Sequence, residues 1–293
     1  MTIDKKFIDQ FVNITSKAAV ASYSLVGKKD KVAADRAAVD SMRTELNKLN
    51  IKGKIVIGEG ELDEAPMLYI GEKVGTTNGP EIDIAVDPLE GTNFAANNLP
   101  GALSVIAITE KNNLFNAPET YMKKISAKVN EKGIVDLDYS VRKNIFNLSE
   151  YLNKKPESIT ACVMDRLRHK DLINELNVLG VNIKLITDGD VSGALLVTDE
   201  KYGVDIFLGI GGGPEGVLAA AALDTFNCCF QGRFLFHTEE DKRRANKMGI
   251  NNLTKKYELD EIVKGDSIFC ATGITSGDLV SGIITENNKF ITE

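Results

Sequence analysis

Tryptophan is absent from this 293-residue chain, and histidine occurs only twice, at His169 and His237. Mechanisms built on histidine general bases or on histidine-rich zinc sites therefore have little to work with. Four cysteines, Cys162, Cys228, Cys229 and Cys270, show neither CxxC nor zinc-knuckle spacing, and two adjacent cysteines do not readily close an unstrained disulfide. Reduced, buried thiols are expected. No apolar run of about 18 residues occurs without polar breaks, and the N-terminus lacks a signal-like apolar stretch. The chain reads as cytoplasmic, with no membrane partner. Positive charge is also in deficit: 35 Lys and Arg face 42 Asp and Glu, for a net charge of −7. A nucleic-acid partner is excluded on that ground, because the short basic spots at 28–31 and 242–244 are too sparse to track a polyanion.

With 43% hydrophobic residues, the chain can bury a substantial core. Apolar positions at helical spacing predict one helix from Phe7 to Ala21 and another from Ala33 to Leu49, joined by a loop at 27–31. Strands are expected at 54–57, at 82–87 with Pro88 as the stop, and at 102–108. The segment 112–156 is polar and rich in Lys and Asn, with an amphipathic helix around 148–152, and a domain junction is expected near 155. Beyond it, strands at 160–164, 183–186 and 205–209 alternate with helices at 168–179, 193–197 and 215–224. Such alternation predicts α/β layering on a mostly parallel sheet. The stretch 237–261 is charged and helical in character.

The available chemistry is that of carboxylates. Asp87-Pro88-Leu89-Glu90-Gly91-Thr92 stands where an apolar strand gives way to a turn, and two carboxylates three apart can converge on one side of it. Hard oxygen ligands there suit Mg²⁺ or Mn²⁺, and the Thr92 hydroxyl is placed to hold or deprotonate a water. Glu59, flanked by two glycines, can bend into a shared site, whereas Glu61, Asp63 and Glu64 read as turn or cap residues. Asp35 lies on a helix among small neighbours. The cluster Gly211-Gly212-Gly213-Pro214-Glu215-Gly216 satisfies G-x-G-x-x-G, so a dinucleotide turn and an oxidoreductase must be weighed. Pro214 removes an amide and Glu215 puts negative charge where a pyrophosphate would rest, which favours a cation instead. Lys31, Lys123, Lys124, Arg166 and Arg168 are candidate partners for phosphate, and Asp188-Gly189-Asp190 supplies acids that can bind hydroxyls.

These motifs, together with Asp30-Lys31, the run from Ile57 to Glu72, Ala117-Pro118 and Tyr121 to Lys124, resemble the class II fructose-1,6-bisphosphatases of the lithium-sensitive, metal-dependent sugar and inositol phosphatase superfamily. The resemblance spans about residues 8–283. It implies a layered α-β-α-β-α sandwich, with an N-terminal metal-binding domain over 1–155 and a C-terminal α/β domain over 156–293. It also implies hydrolysis of the C1 phosphate of fructose 1,6-bisphosphate, a gluconeogenic step. Asp35 and Glu59 would hold one cation, Mg²⁺ or Mn²⁺, and Asp87, Glu90 and Glu215 another. Thr92 and Lys31 would be catalytic. Substrate contacts would fall on Glu90, Gly91, Thr92, Tyr121, Arg166, Leu167, Arg168, Asp188, Gly189, Asp190 and Gly212, in a homo-oligomer.

Val32, Asn93-Phe94 and Gly101 depart from the family's usual residues at the rim of the site, and the chain ends sooner than the resemblance leads one to expect. Sedoheptulose 1,7-bisphosphate, or another sugar or inositol phosphate, is the alternative substrate. A non-catalytic metabolite-binding protein is the alternative from a different class.

Overall fold

The computed structural model describes residues 4–58 and 67–293. The chain forms two compact units, one made of residues up to Asn116 together with Val263–Glu293, the other of Ala117–Ile262.

The first unit opens with α1 (Phe7–Tyr23) and α2 (Lys31–Leu46), then β1 (Lys52–Ile57), β2 (Lys73–Val74), β3 (Glu81–Glu90), α3 (Thr92–Asn97) and β4 (Leu103–Glu110). In the second unit come β5 (Tyr121–Ala127), α4 (Val141–Tyr151), β6 (Thr160–Met164), α5 (Lys170–Val178), β7 (Asn182–Ile186), α6 (Asp190–Leu195), β8 (Ile206–Gly212) and α7 (Gly213–Thr225). It continues through β9 (Cys229–Leu235), α8 (Glu239–Lys247), β10 (Tyr257–Glu258) and α9 (Leu259–Ile262). The chain then returns to the first unit as β11 (Ser267–Gly273) and the hairpin β12 (Ile284–Glu286) and β13 (Lys289–Ile291).

In the first unit the sheet order is β11-β4-β3-β1-β2. The apolar stripe of α1, Phe7, Phe11, Ile14 and Ala18, and that of α2, Ala34, Ala38, Met42 and Leu46, bury against Ile55, Ile84, Val86, Ile106 and Ile108 of that sheet. The 3.6-residue period of the helices and the 2-residue period of the strands meet in one core. Each large aliphatic side chain buried there contributes about 1.5–3 kcal/mol. Asp30 caps α2 by accepting from the Ala33 amide over 2.9 Å, a position that favours Asp because the first helical amides have no partner of their own.

The second sheet has the order β10-β9-β5-β8-β6-β7. It is mixed rather than mostly parallel: β6 runs parallel to β7 and β8, while β5 lies antiparallel to both β8 and β9. Ile125 and Ala127 of β5 join Ile145, Leu148 and Leu176 of α4 and α5 on one face. On the other face, Ser126 Oγ donates to the Ala194 carbonyl of α6 over 3.0 Å. Helices thus cover both faces of this sheet, an α-β-α layering.

Three further expectations need correcting. The junction expected near 155 falls inside the second unit, because β5, drawn from the polar 112–156 stretch, is a central strand of its sheet. Pro88 does not end its strand: β3 continues to Glu90 through a bulge, Asp87 facing Val105 and Glu90 facing Leu103. A proline at a bulge removes no ladder hydrogen bond. The 237–261 stretch is helical only in part, with α8 opened by a Thr238–Asp241 capping box and followed by β10. Burial pushes the thiols of Cys228 and Cys270 up to about 11 and that of Cys229 up to about 12. No disulfide joins these three.

Candidate active site

The bulge at the end of β3 places the first group of acids. Asp87 accepts the Leu89 amide over 3.1 Å, which folds the 87–90 segment back on itself, and Glu90 is buried at the strand's end. Gly91 then takes a left-handed φ of 78°, and Thr92 begins α3. The left-handed turn costs glycine little and other residues more. The loop ahead of α2 is tied to α3, Gly27 donating to the Ala95 carbonyl (2.9 Å) and Lys29 to that of Ala96 (2.8 Å). Exposed Lys31 and partly buried Asp35, both on α2, therefore belong to the segment fastened beside the Thr92 helix. Glu59, expected as a ligand, lies outside the described residues, as do Glu61, Asp63 and Glu64.

In the second unit, β6, β7 and β8 are parallel or aligned with parallel neighbours, so their C-terminal ends reach one edge of the sheet. β7 and β8 lie on opposite sides of β6, and the crevice at such a reversal is where α/β sheets bind ligands. Arg166, Leu167 and Arg168 follow β6, Asp188 to Asp190 follow β7, and Gly212 ends β8 with Tyr121 directly opposite it. Every second-unit substrate residue expected from sequence therefore sits at this edge.

The edge is built from the sheet upward. His169, buried, bridges two strands: its Nδ1 donates to the Met164 carbonyl over 2.7 Å and its Nε2 accepts the Ile210 amide over 2.8 Å. Those roles fix the neutral tautomer, and burial holds its pKa below the ordinary value. Arg168 Nε donates to the Ile210 carbonyl over 2.9 Å, and its guanidinium lies 4.9 Å from the Tyr121 ring centroid, a cation–π arrangement. Arg166 faces Asp188 at 3.8 Å. Leu167, 94% exposed, is displayed outward by the single turn at 167–169.

Beneath this edge lies a buried charge cluster. Lys124 of β5 forms an ion pair with Asp190. Glu215, in the first turn of α7, turns back toward Gly212. Asp190 Oδ1 and Glu215 Oε2 are buried with no hydrogen-bond partner among the described residues. Burial pushes the Glu215 pKa up, opposed by the Lys124 charge and reinforced by Asp190. The glycines are what admit these carboxylates: a Cβ on Gly211 would overlap Asp190, and one on Gly212 would overlap Glu215. The G-x-G-x-x-G string is thus a cradle for acids, not for a pyrophosphate.

Sequence reasoning offered Lys124 only as one of several phosphate partners and Asp190 only as a hydroxyl ligand; their buried pairing was not foreseen. It also missed His169, whose only sequence signal is that histidine is scarce.

The donor chemistry fits a divalent cation. Asp35, Asp87, Glu90 and Glu215 are hard oxygen donors, and Glu215 Oε2 is a buried acceptor with no hydrogen-bond partner among the described residues. Among the described residues, no three His, Cys, Asp or Glu side chains form a ready group for an ion.

The model of the family "bacterial fructose-1,6-bisphosphatase, glpX-encoded" matches residues 5–293. The chain belongs to this family. Among its relatives, a protein of Synechococcus sp. (strain CC9902), named D-fructose 1,6-bisphosphatase class 2/sedoheptulose 1,7-bisphosphatase, is 44% identical over 96% of this chain and 88% of its own length. One of the same name from Prochlorococcus marinus (strain MIT 9301) is 42% identical over 98% and 90%. A solved structure of CysQ from Bacteroides thetaiotaomicron, a bacterial member of the inositol monophosphatase family, aligns over 67% of this chain and 77% of its own, at 17% identity and a TM-score of 0.37. No helix among the described residues is long and apolar enough to cross a membrane.

Proposed function

We propose that this member of the glpX-encoded family hydrolyses the C1 phosphate of fructose 1,6-bisphosphate, giving fructose 6-phosphate and inorganic phosphate, with Mg²⁺ or Mn²⁺ as cofactor. The observation that carries the reading is the second unit's edge, where the buried carboxylates of Asp190 and Glu215, each with an oxygen lacking a hydrogen-bond partner among the described residues, share the strand ends with Arg166, Arg168 and Tyr121. Oxygen ligands for cations and guanidinium groups for a phosphate are what a metal-assisted phosphomonoesterase requires.

In this reading Asp35 and Glu59 hold one cation, and Asp87, Glu90 and Glu215 hold a second. When bound, the cations supply Lewis-acid polarisation of the phosphoryl group and a lowered pKa for water. Thr92, at the first position of α3, orients the attacking water through its hydroxyl, and Lys31 faces the reacting phosphate as a point charge. Water oxygen bonds to phosphorus while the bond from phosphorus to the C1 oxygen breaks, and the leaving oxygen ends protonated. Arg166, Arg168 and Tyr121 hold the far end of the substrate, with Asp188 and Asp190 accepting from sugar hydroxyls. Gly91 and Gly189 let backbone approach it closely, Gly212 makes room for Glu215 and offers its own backbone, and Leu167 belongs to the second unit's edge.

Sedoheptulose 1,7-bisphosphate is the second substrate to test, since both named relatives carry that activity in their names. Initial rates of phosphate release from the two bisphosphates and from inositol monophosphate rank the readings. Preference for inositol monophosphate would overturn the assignment.

A further inference from the structure

Lys124 stands among the largest fully buried side chains of the protein, at 1% exposure, in the company of Phe207 and Phe230. A lysine so placed has lost its hydration entirely, and only a close counter-charge makes this tolerable. That counter-charge is Asp190, itself only 7% exposed.

The geometry around the pair is directional. Ile125 and Ala127 of β5 turn to the α4 and α5 face, while Lys124 and Ser126 turn to α6. β5 thereby grips α6 at both ends, Lys124 at Asp190 and Ser126 at Ala194. Asp190 Oδ2, the oxygen bound to Lys124, also lies against Gly211, where a Cβ would overlap it. Oδ2 is thus enclosed between lysine and glycine, and Oδ1 is left buried and without a hydrogen-bond partner among the described residues. If stability alone were served, an apolar pair of similar volume would do as well as an ion pair.

We infer that Lys124 is a positioning residue, which holds Asp190 so that its Oδ1 accepts a hydrogen bond from a hydroxyl of the bound sugar phosphate. In this inference Lys124 acts on sugar binding through Asp190, while its charge also acts on Glu215, which saturating metal holds constant across the variants. The inference deepens the function proposed above and rests on it.

The test compares the whole chain with Asp190→Asn, Lys124→Met and the double variant Lys124→Met/Asp190→Asn. Melting temperature, kcat and KM for fructose 1,6-bisphosphate are measured with saturating Mg²⁺ or Mn²⁺. Asp190→Asn is expected to raise KM about tenfold, the worth of one charge-assisted hydrogen bond, with a smaller change in kcat. The double variant is expected to match the KM of Asp190→Asn within about twofold, since removing the lysine matters only while the aspartate is there to be held. Lys124→Met alone leaves a buried carboxylate unpaired, so it lowers the melting temperature and raises KM. If it does not fold, the neutral double variant still decides against Asp190→Asn.

An unchanged KM in Asp190→Asn, a further large rise in the double variant, or a folded Lys124→Met that loses melting temperature but not KM would each overturn the inference. A wild-type chain that releases no phosphate from fructose 1,6-bisphosphate would overturn the function and the inference together. That outcome is distinct from an active wild type with an unresponsive Asp190.

Discussion

Gly212 and Glu215 occupy one space: the glutamate carboxylate turns back from the first turn of α7 to lie where any side chain at residue 212 would begin. Gly212 has φ −68° and ψ 143°, a conformation alanine adopts freely. Gly212→Ala therefore tests crowding alone, without backbone strain. Displacing Glu215 from a cation it is proposed to hold is expected to lower kcat about 100-fold or more, with the melting temperature falling only a few degrees. Assay and thermal unfolding of the same preparation check this. A fully active Gly212→Ala enzyme would remove Glu215 from the site.

Asp87, at the β3 bulge, and Glu215, in the first turn of α7, are both proposed to hold a cation. Asp87→Ala and Glu215→Ala should each lower kcat by roughly two or more orders of magnitude, and isothermal titration of the purified variants with Mn²⁺ should show weakened binding. Thr92→Ala removes a hydroxyl from a partly buried helix start, so it should lower kcat more than it changes KM. If Glu61→Ala proved as damaging as Glu59→Ala, the assignment of Glu59 as the ligand would be wrong.

Much of the candidate site was legible in the sequence, because the acids and glycines proposed for it stand at strand ends. Asp87, Glu90, Glu215 and the 188–190 turn all follow apolar strand candidates, and strand ends are where a sheet can present polar groups. What escaped was β5, since Tyr121-Met122-Lys123-Lys124 reads as polar surface. Lys124 becomes a core residue only when α6, some 66 positions later in the chain, brings Asp190 to meet it. The bulge at Pro88 escaped for a similar reason: whether a proline ends a strand or is absorbed by a bulge depends on the partner strand β4. The unit boundary was misplaced because β5 pairs with β8 and β9, relations that only tertiary structure reveals.

A pH dependence follows from His169. Its folded pKa lies below the ordinary 6.5 because of burial, and its Nε2 accepts a backbone amide, so the folded state disfavours a second ring proton. The unfolded chain takes up that proton as pH falls through about 6.5, the ordinary histidine value. Stability contributed by neutral His169 is thus complete above that pH and lost progressively below it, until the folded histidine itself protonates. Chemical denaturation of wild type and His169→Gln across pH 5 to 8 measures it. The wild type should lose more stability than the variant on the acid side of 6.5. Parallel curves would show that His169 does not contribute.

Arg168→Ala removes both the guanidinium over Tyr121 and the hydrogen bond to the Ile210 carbonyl. KM for a bisphosphate should rise about tenfold or more, and by less for a monophosphate ester. Equal effects on the two would mean that Arg168 does not hold the second phosphate.

The most direct measurement is phosphate release from fructose 1,6-bisphosphate by the purified chain with Mg²⁺, with Mn²⁺ and with a chelator, alongside sedoheptulose 1,7-bisphosphate and inositol monophosphate. Release that requires added metal, is abolished by the chelator and is fastest with one of the two bisphosphates is the predicted result. Folded protein that releases no phosphate with either metal, or releases it equally well in the chelator, would contradict the proposed metal-dependent hydrolysis.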